Sequence, residues 1–166
     1  MRVLGIDCGG ESTGYGVVEQ TGDDRLVTLA WGAIRLNTRE PLPVRLLQVF
    51  EALRSIIAQH QPEAVAIEDV FYAVNAKSAL KLGQVRGVAM MTAAFWGLPV
   101  AEYAPLAIKS AVVGYGRAEK SQVQDMVARL LKLEAPPQPA DAADALAIAI
   151  CHLHTSATLK RQTAEK

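Results

Sequence analysis

Residues 2–19 read RVLGIDCGGESTGYGVVE, and this stretch decides the predicted fold. Arg2–Asp7 is a short apolar run that ends in an acid, and Thr13–Glu19 is a second run of the β type. Gly9–Gly10 between them is a turn signal. A third run of the same type, Leu26–Leu36, follows after another glycine-containing turn. Three such runs joined by short turns predict an antiparallel meander.

The third run has an internal pattern of its own. Val27, Leu29 and Trp31 alternate with polar or small residues, as in a strand that buries one face. We therefore expect these three side chains to face the core. The apolar phase shifts after Trp31, which predicts a β-bulge near Gly32.

The rest of the chain is predicted to alternate helices with single strands. Apolar residues recur at helical spacing between Pro43 and Pro62, which predicts the first helix. The later elements are predicted as strand Ala64–Ile67, helix Asn75–Trp96, strand Val100–Tyr103, and helices Leu106–Val113, Lys120–Leu131 and Asp141–His154. The order βββαβαβααα is typical of an α/β fold with a five-stranded mixed sheet and helices on both faces. We expect residues 1–156 to form a single domain and residues 157–166 a frayed tail.

Composition narrows the class of protein. The chain has 166 residues, 51% of them hydrophobic and 20% charged, which predicts a folded core and excludes disordered and fibrous proteins. No apolar run is long enough to span a membrane, and the first residues do not resemble a secretory signal. The two cysteines predict reduced thiols and a cytoplasmic location. Since 17 Lys and Arg balance 17 Asp and Glu, a nucleic-acid partner would need a local basic face.

Four acids stand at positions where a site can form. Asp7 and Glu68 end apolar strands, and a carboxylate there lies where α/β sheets bind ligands. Asp141 and Asp144 open a helix three residues apart, so they share one face of its first turn. Each acid also has a purely structural explanation, as a turn, a solvated strand end, or an N-cap with a dipole-stabilising neighbour. The sequence alone does not show that the four meet in space.

Four carboxylates have a specific chemistry if they do meet. They repel one another and cannot all stay ionised without compensation. Two Mg²⁺ ions would balance the four charges, and Mg²⁺ takes oxygen ligands without needing His or Cys. Two such ions about 4 Å apart form the clamp that promotes in-line attack on a phosphodiester.

Four segments of the chain resemble a known family when they are taken in order. They read LGIDCGGESTGYGVV, AVAIEDVFYAVNAKSALKLGQVRGVAM, AIKSAVVGYGRAEKSQVQDMV and DAADALAIAICHLH, and they extend over nearly the whole chain. This set is similar to the RuvC Holliday-junction resolvases of bacteria. The resemblance implies a ribonuclease H-like fold, a homodimer, and resolution of four-way junctions in recombination and repair. It further implies two Mg²⁺ per site with Mn²⁺ as a substitute, paired nicks leaving 5′-phosphate and 3′-hydroxyl ends, and a branch-migration helicase complex as partner.

The resemblance also implies roles for single residues. Asp7 would bridge both ions and Glu68 would hold one of them. Asp141 and Asp144 would hold the other. Lys120 matches a family lysine near the scissile phosphate, where it would stabilise developing charge.

Other positions match residues that contact DNA. Phe71 matches an aromatic residue that stacks on an unpaired base, with core or lid packing as the alternative.

Cys8 departs from the family pattern, which has proline after the first aspartate, so the loop loses a fixed φ. The thiol either fills a small apolar gap or makes the site sensitive to oxidation.

The predicted basic face comprises Lys77, Lys81, Arg86, Arg117, Lys120 and Lys109, the last matching a backbone-contacting lysine.

Small residues recur on one face of the predicted Asn75–Trp96 helix. Ala79, Gly83 and Gly87 lie four residues apart. Glycine inside a helix costs about 1 kcal/mol relative to alanine, so two of them suggest a packing reason. One explanation is close helix–sheet contact within the chain, and the other is close approach of two copies of this helix across a dimer axis.

Two other functions stay open at this point. The stretch GIDCGGESTGYGV also resembles the phosphate loop of actin-type and sugar-kinase-type ATP-binding proteins, although such proteins need two domains around the nucleotide. The chain could also be a non-catalytic junction-binding module that has kept the fold. ATP binding would identify the first alternative, and metal-dependent cleavage would exclude the second.

Overall fold

A computed structural model of the chain describes residues 1–69 and 76–164. Its elements follow the predicted order βββαβαβααα. The strands are β1 (Arg2–Asp7), β2 (Ser12–Gln20), β3 (Leu26–Arg35), β4 (Ala64–Glu68) and β5 (Val100–Tyr103). The helices are α1 (Leu42–His60), α2 (Ala76–Phe95), α3 (Pro105–Val113), α4 (Lys120–Leu130) and α5 (Ala140–Ala164). The helix cap predicted at Asn75 lies outside the described residues.

The five strands form one mixed sheet in the order β3-β2-β1-β4-β5. β2 pairs antiparallel with both β1 and β3, as expected for strands joined by short turns. β4 pairs parallel with β1, and β5 pairs parallel with β4, because helical crossovers connect these strands. β1 is therefore the central strand, and its carboxyl end lies at the same edge of the sheet as those of β4 and β5.

Helices cover both faces of the sheet, and each face has its own core. On one face, α1 and α2 bury large aliphatic side chains such as Leu53 and Val85 against Ile67 of the sheet. On the other face, α3, α4 and α5 pack over sheet residues such as Val3 and Val18, with Leu146 of α5 in the same core. None of the described helices is both long and apolar enough to cross a membrane.

The predicted orientation of β3 is wrong. Val27, Leu29 and Trp31 are 42%, 37% and 41% exposed, so the alternating apolar set faces outward rather than into the core. Alternation gives the period of a strand but not the face that is buried, and β3 is the edge strand, where fewer elements cover the sheet. The bulge also lies elsewhere than Gly32: the pairing shifts between Val17 and Val18, which leaves Leu29 as the extra residue.

The last helix is longer than predicted. α5 continues to Ala164 instead of ending near His154. The sequence after His154 contains no proline or glycine, so nothing in it terminates a helix. The division into a domain of residues 1–156 and a frayed tail of residues 157–166 stays a prediction.

Candidate active site

Two of the acids lie side by side because two parallel strands end together. Ile6 of β1 pairs with Ile67 of β4, and Asp7 and Glu68 are the next residues of the two strands. Both isoleucines are almost fully buried, whereas the two acids are only half-buried. The apolar part of each strand fixes its place in the core, and the acid that follows is held at the carboxyl edge of the sheet.

Glycines of β1 and β2 bring the other two acids to the same edge. A Cβ added to Gly5 would lie 2.0 Å from the Ala145 carbonyl oxygen, and one added to Gly14 would lie 2.0 Å from that of Asp141. Gly14 is also the strand partner of Asp7. The backbone of α5 therefore rests directly on the backbone of the sheet, which places the first turn of α5 beside Asp7.

The result is a tight group of carboxylates. One carboxylate oxygen each of Asp7, Asp141 and Asp144 lies within 4.8 Å of the other two. Glu68 is not a member of this group, but it lines the same cavity of about 210 Å³ as Asp7 and Asp144. The three segments predicted to carry the acids thus meet in space. Three of the acids have close oxygens, and Glu68 lies at the same edge of the sheet and lines the cavity with two of them.

This crowding changes the acid–base behaviour of Asp7. Burial raises its pKa to about 7, and the neighbouring carboxylates of Asp144, Glu68 and Asp141 contribute to the rise. The ammonium group of Lys120 opposes it. Asp7 is therefore protonated in a substantial fraction of molecules near neutral pH, and a cation bound beside it would favour loss of that proton.

Glu68 has a similar but more balanced environment. Burial and the charge of Asp144 raise its pKa, whereas Lys109 and Lys120 lower it. Both lysines line the cavity. Lys109 lies on α3, one turn after the helix begins at Pro105, and Lys120 is the first residue of α4. Acids and cations thus line the same small cavity.

Both the side chain and the backbone of Lys120 are held in place. Its Nζ donates a hydrogen bond to Asp144 Oδ2 at 2.6 Å, and this bond raises the pKa of the lysine. The start of α4 is fixed by a capping box, in which the side chain of Gln122 accepts a hydrogen bond from the Glu119 backbone N–H at 2.9 Å. The ammonium group therefore stays charged and points at the acidic group.

The donor set suits a hard divalent cation. Asp7, Asp141 and Asp144 offer oxygen ligands at mutual distances that one ion can span. Asp7 also interacts with Glu68, so it connects Glu68 to the other two. The nearest thiol does not compete, because burial raises the pKa of Cys8 to about 12 and keeps it protonated. Cys8 packs against the α1–α2 core, which favours the interpretation that it fills an apolar gap.

The remaining predicted DNA contacts are spread over several places. Lys81 is exposed and lines a separate groove with Gly9 and Gly10. Arg86 is half-buried, and its side chain is paired with acids. Arg117 is exposed and does not line the cavity that holds the acids. Phe71 and the side chain of Lys77 lie outside the described residues.

Some residues that shape the site were not singled out from the sequence. Gly5, Gly14 and Gly16 set the distance between sheet and helix, and glycines inside strands are a known signal of close backbone approach. Arg45 lines the same groove as Lys81, and no spacing in the sequence links α1 to that groove. Asp69 and Glu102 bind Arg86, a contact that needs the strand register to be known.

The chain matches a single family model over nearly its whole length. The model is described as "Crossover junction endodeoxyribonuclease RuvC" and matches residues 3–152. The chain belongs to the RuvC family. A RuvC of Koribacter versatilis is 66% identical over 165 residues, with 99% of each chain covered.

Solved RuvC structures have the same fold. A Thermus thermophilus RuvC structure has a TM-score of 0.87 and 34% identity, covering 95% of this chain and 96% of that one. A second T. thermophilus structure, of RuvC in complex with Holliday junction substrate, has a TM-score of 0.88, 31% identity and the same coverages. The expected ribonuclease H-like α/β fold of the RuvC family is thus confirmed.

Proposed function

We propose that this RuvC-family chain is a Mg²⁺-dependent endonuclease that resolves four-way DNA junctions by paired nicks. The observation that carries the proposal is the clustering of Asp7, Asp141 and Asp144, together with a cavity that Asp7, Asp144 and Glu68 line with two lysines. The T. thermophilus RuvC that shares the fold was solved with a Holliday junction substrate. Family membership and this cavity together favour nicks that leave 5′-phosphate and 3′-hydroxyl ends, in recombination and repair.

Metal binding is the step for which the acids are arranged. We assign Asp7 as the ligand shared by two ions, Glu68 as a ligand of one, and the Asp141–Asp144 pair as ligands of the other. Bound divalent ions would activate a water molecule and stabilise the leaving oxygen of the phosphodiester. Asp7 must lose its proton to act as a ligand, so cation binding near neutral pH releases a proton. Mg²⁺ fits the all-oxygen donor set, and Mn²⁺ is expected to substitute for it.

The two lysines act on the substrate rather than on the ions. Lys120 carries a positive charge at the cavity beside Asp144, where it would stabilise charge that develops on the scissile phosphate. Lys109 lines the same cavity and interacts electrostatically with Glu68, and it would hold a neighbouring stretch of the DNA backbone. Lys77, Lys81 and Arg117 remain proposed backbone contacts, and Phe71 a proposed stacking residue.

The geometry favours a homodimer formed through α2. Gly83 and Gly87 are exposed, and a Cβ added to either would meet no atom of the described residues within 4 Å. Close helix–sheet contact within the chain therefore does not explain these glycines. The same helix exposes Leu80, Met91 and Phe95 at 65%, 55% and 72%. Two copies joined at this face would give the two active sites that paired nicks require.

Other parts of the proposal rest on family membership alone. We infer a cytoplasmic location and an association with a branch-migration helicase complex. Membership of the RuvC family disfavours the ATP-binding alternative, and Gly14 and Gly16 of the glycine-rich stretch are packed against α5, although Gly10 has open space. A non-catalytic module is disfavoured because all four acids are present and gathered at one edge of the sheet.

Cleavage assays test the proposed function. The purified protein is incubated with four-way and linear DNA, with and without Mg²⁺, and the product ends are resolved. We expect Mg²⁺-dependent, symmetric nicks in the junction only. Glu68→Gln should keep junction binding and lose cleavage, because one ligand is weakened while the fold survives. Glu51→Gln, an exposed acid on α1, is the matched control and should cleave normally. Junction cleavage by Glu68→Gln at the wild-type rate would refute the assignment.

A further inference from the structure

Arg86 is a predicted DNA contact whose side chain is paired with two acids of the same chain. It extends from α2 to the ends of β4 and β5, and only 17% of the side chain is exposed. Its Nη2 donates to the Glu102 carboxylate and, at 3.4 Å, to Asp69 Oδ1. Its Nε donates to the Glu68 backbone carbonyl oxygen, also at 3.4 Å. Three acceptors from two strands therefore share one guanidinium group.

These contacts surround the backbone that carries Glu68. On the β5 side, Glu68 pairs with Tyr103, and the Asp69 backbone N–H donates to the Tyr103 carbonyl oxygen at 2.8 Å. On the α2 side, Arg86 holds the Glu68 carbonyl oxygen and the Asp69 carboxylate. The strand end is thus fixed from two directions. The direction of the Glu68 side chain follows from the backbone that these bonds hold.

The charge of Arg86 is used within the chain. Glu102 and Asp69 bring two negative charges to the guanidinium group, which leaves no excess positive charge there for a phosphate. Lys81, on the same helix, is exposed and lines an open groove. Lys81 and Arg86 are therefore in opposite situations, although the sequence pattern treats them alike.

The chemistry of the site requires arginine rather than lysine. A guanidinium group presents several N–H donors in a rigid plane and can bind acceptors that lie in different directions. An ammonium group on a flexible stem would keep the charge but not this geometry. The contact with the Glu68 carbonyl oxygen is the one that a lysine would be expected to lose.

We propose that Arg86 is a positioning residue that holds the end of β4, and with it Glu68, in the geometry needed for metal binding. This inference rests on the proposed function, in which Glu68 is a metal ligand. It assigns Arg86 a role that acts through Glu68, in place of a direct contact with the DNA backbone. It also connects α2, the proposed dimer helix, to the carboxylate cavity.

The test measures metal binding and junction binding separately. Mn²⁺ affinity of the DNA-free protein is measured by electron paramagnetic resonance for wild type, Arg86→Lys, Glu102→Gln and Lys81→Gln. We expect Arg86→Lys to weaken Mn²⁺ binding about 10-fold to 100-fold, the usual effect of losing a residue that orients a ligand. Its junction affinity in Ca²⁺ should stay within about twofold of wild type, because the positive charge is kept. Raising the Mn²⁺ concentration should restore its cleavage, which a misfolded protein would not show.

The other variants decide between positioning and DNA contact. Glu102→Gln loosens Arg86 without removing a cation, so we expect a smaller loss of Mn²⁺ affinity and unchanged junction binding. Lys81→Gln should weaken junction binding and leave Mn²⁺ affinity unchanged. Normal Mn²⁺ affinity in both Arg86→Lys and Glu102→Gln would overturn the inference. If wild type bound Mn²⁺ but cleaved no junction, the proposed function would fail while the positioning role would still be measured.

Discussion

Glycines occupy two contrasting environments in this molecule. Gly5 and Gly14, in β1 and β2, lie against the backbone of α5, so closely that a Cβ would come within 2.0 Å of a carbonyl oxygen. Gly83 and Gly87, in α2, have open space in front of them. The first pair sets a distance inside the chain, and with it the spacing of the acids. The second pair leaves a helix face that no part of the chain within residues 1–69 and 76–164 fills.

Removing the close approach at Gly14 should have the largest effect. Gly14→Ala would place a methyl group against Asp141, and the α5 backbone would have to move away from Asp7. A displacement of about 1 Å at a catalytic group commonly costs about 100-fold in rate, so we expect at least that loss of junction cleavage. Rates are measured in single-turnover assays with saturating Mg²⁺.

Gly22→Ala is the control for this change, because Gly22 lies in a turn with nothing within 4 Å of an added Cβ. It should cleave at the wild-type rate. If Gly14→Ala also did so with an unchanged Mg²⁺ requirement, the glycines of the sheet would not set the spacing of the acids.

The close approach also predicts how stability depends on pH in the metal-free protein. The folded-state pKa of Asp7 is about 7, above the ordinary value of 3.8. The folded state therefore holds a proton that the unfolded state has lost between these values, so stability falls as pH rises from about 4 to about 7 and then levels off. We expect this loss to be on the order of 1–2 kcal/mol after allowance for solvent screening, measured by urea unfolding in chelator.

Asp7→Asn is the matched variant for the pH experiment. It should be more stable than wild type at pH 8 without metal and should lose most of the slope between pH 4 and 7. Glu68, whose pKa is also raised by burial, would account for the slope that remains. If the stability of the variant depended on pH in the same way as that of wild type, the pKa of Asp7 would not be raised in the folded state.

Substitution of an open glycine of α2 should have smaller effects, which are opposite in sign for the stability of the monomer and the stability of the dimer. Gly83→Ala should stabilise the monomer by about 0.5–1 kcal/mol, because alanine is the better helix former. The same change should weaken the dimer, since a methyl group would stand in the proposed contact. Unfolding at low protein concentration and sedimentation at several concentrations measure the two effects.

Ser55→Ala, at an exposed position of α1, is the control for the helix substitution. It should also favour the helix slightly and should leave self-association unchanged. A tighter dimer in Gly83→Ala, or a monomer in wild type at all concentrations, would remove α2 as the dimer face.

The sequence was sufficient for the element order and for the residues that carry charge in the site. Asp7 and Glu68 could be placed because apolar strands that end in acids have few alternatives in a parallel arrangement. Asp141 and Asp144 could be paired because their spacing puts them on one helical face. The family resemblance then supplied the expectation that the three segments meet.

The features that sequence reasoning missed depend on which surfaces face each other. Val27, Leu29 and Trp31 alternate correctly, but alternation does not identify the buried face of an edge strand. Gly83 alone does not reveal whether a helix lies against its own sheet or against another molecule. Arg86 is a cation among other basic residues, as expected for a DNA contact. Only the strand register shows that Glu102 and Asp69 lie within its reach.

The length of α5 means that the helix cannot slide along the sheet without separating the acids of the site. The helix has 25 residues, and the contacts at Gly5 and Gly14 hold it along two strands of the sheet. Sliding it by one turn would move its acids by about 5.4 Å, more than the whole spread of 4.8 Å among the three clustered oxygens. No intermediate register leaves a weakened version of the same centre. Variants that are destabilised elsewhere, without displacing α5 as Gly14→Ala does, should therefore lose activity in proportion to the fraction of molecules that are unfolded.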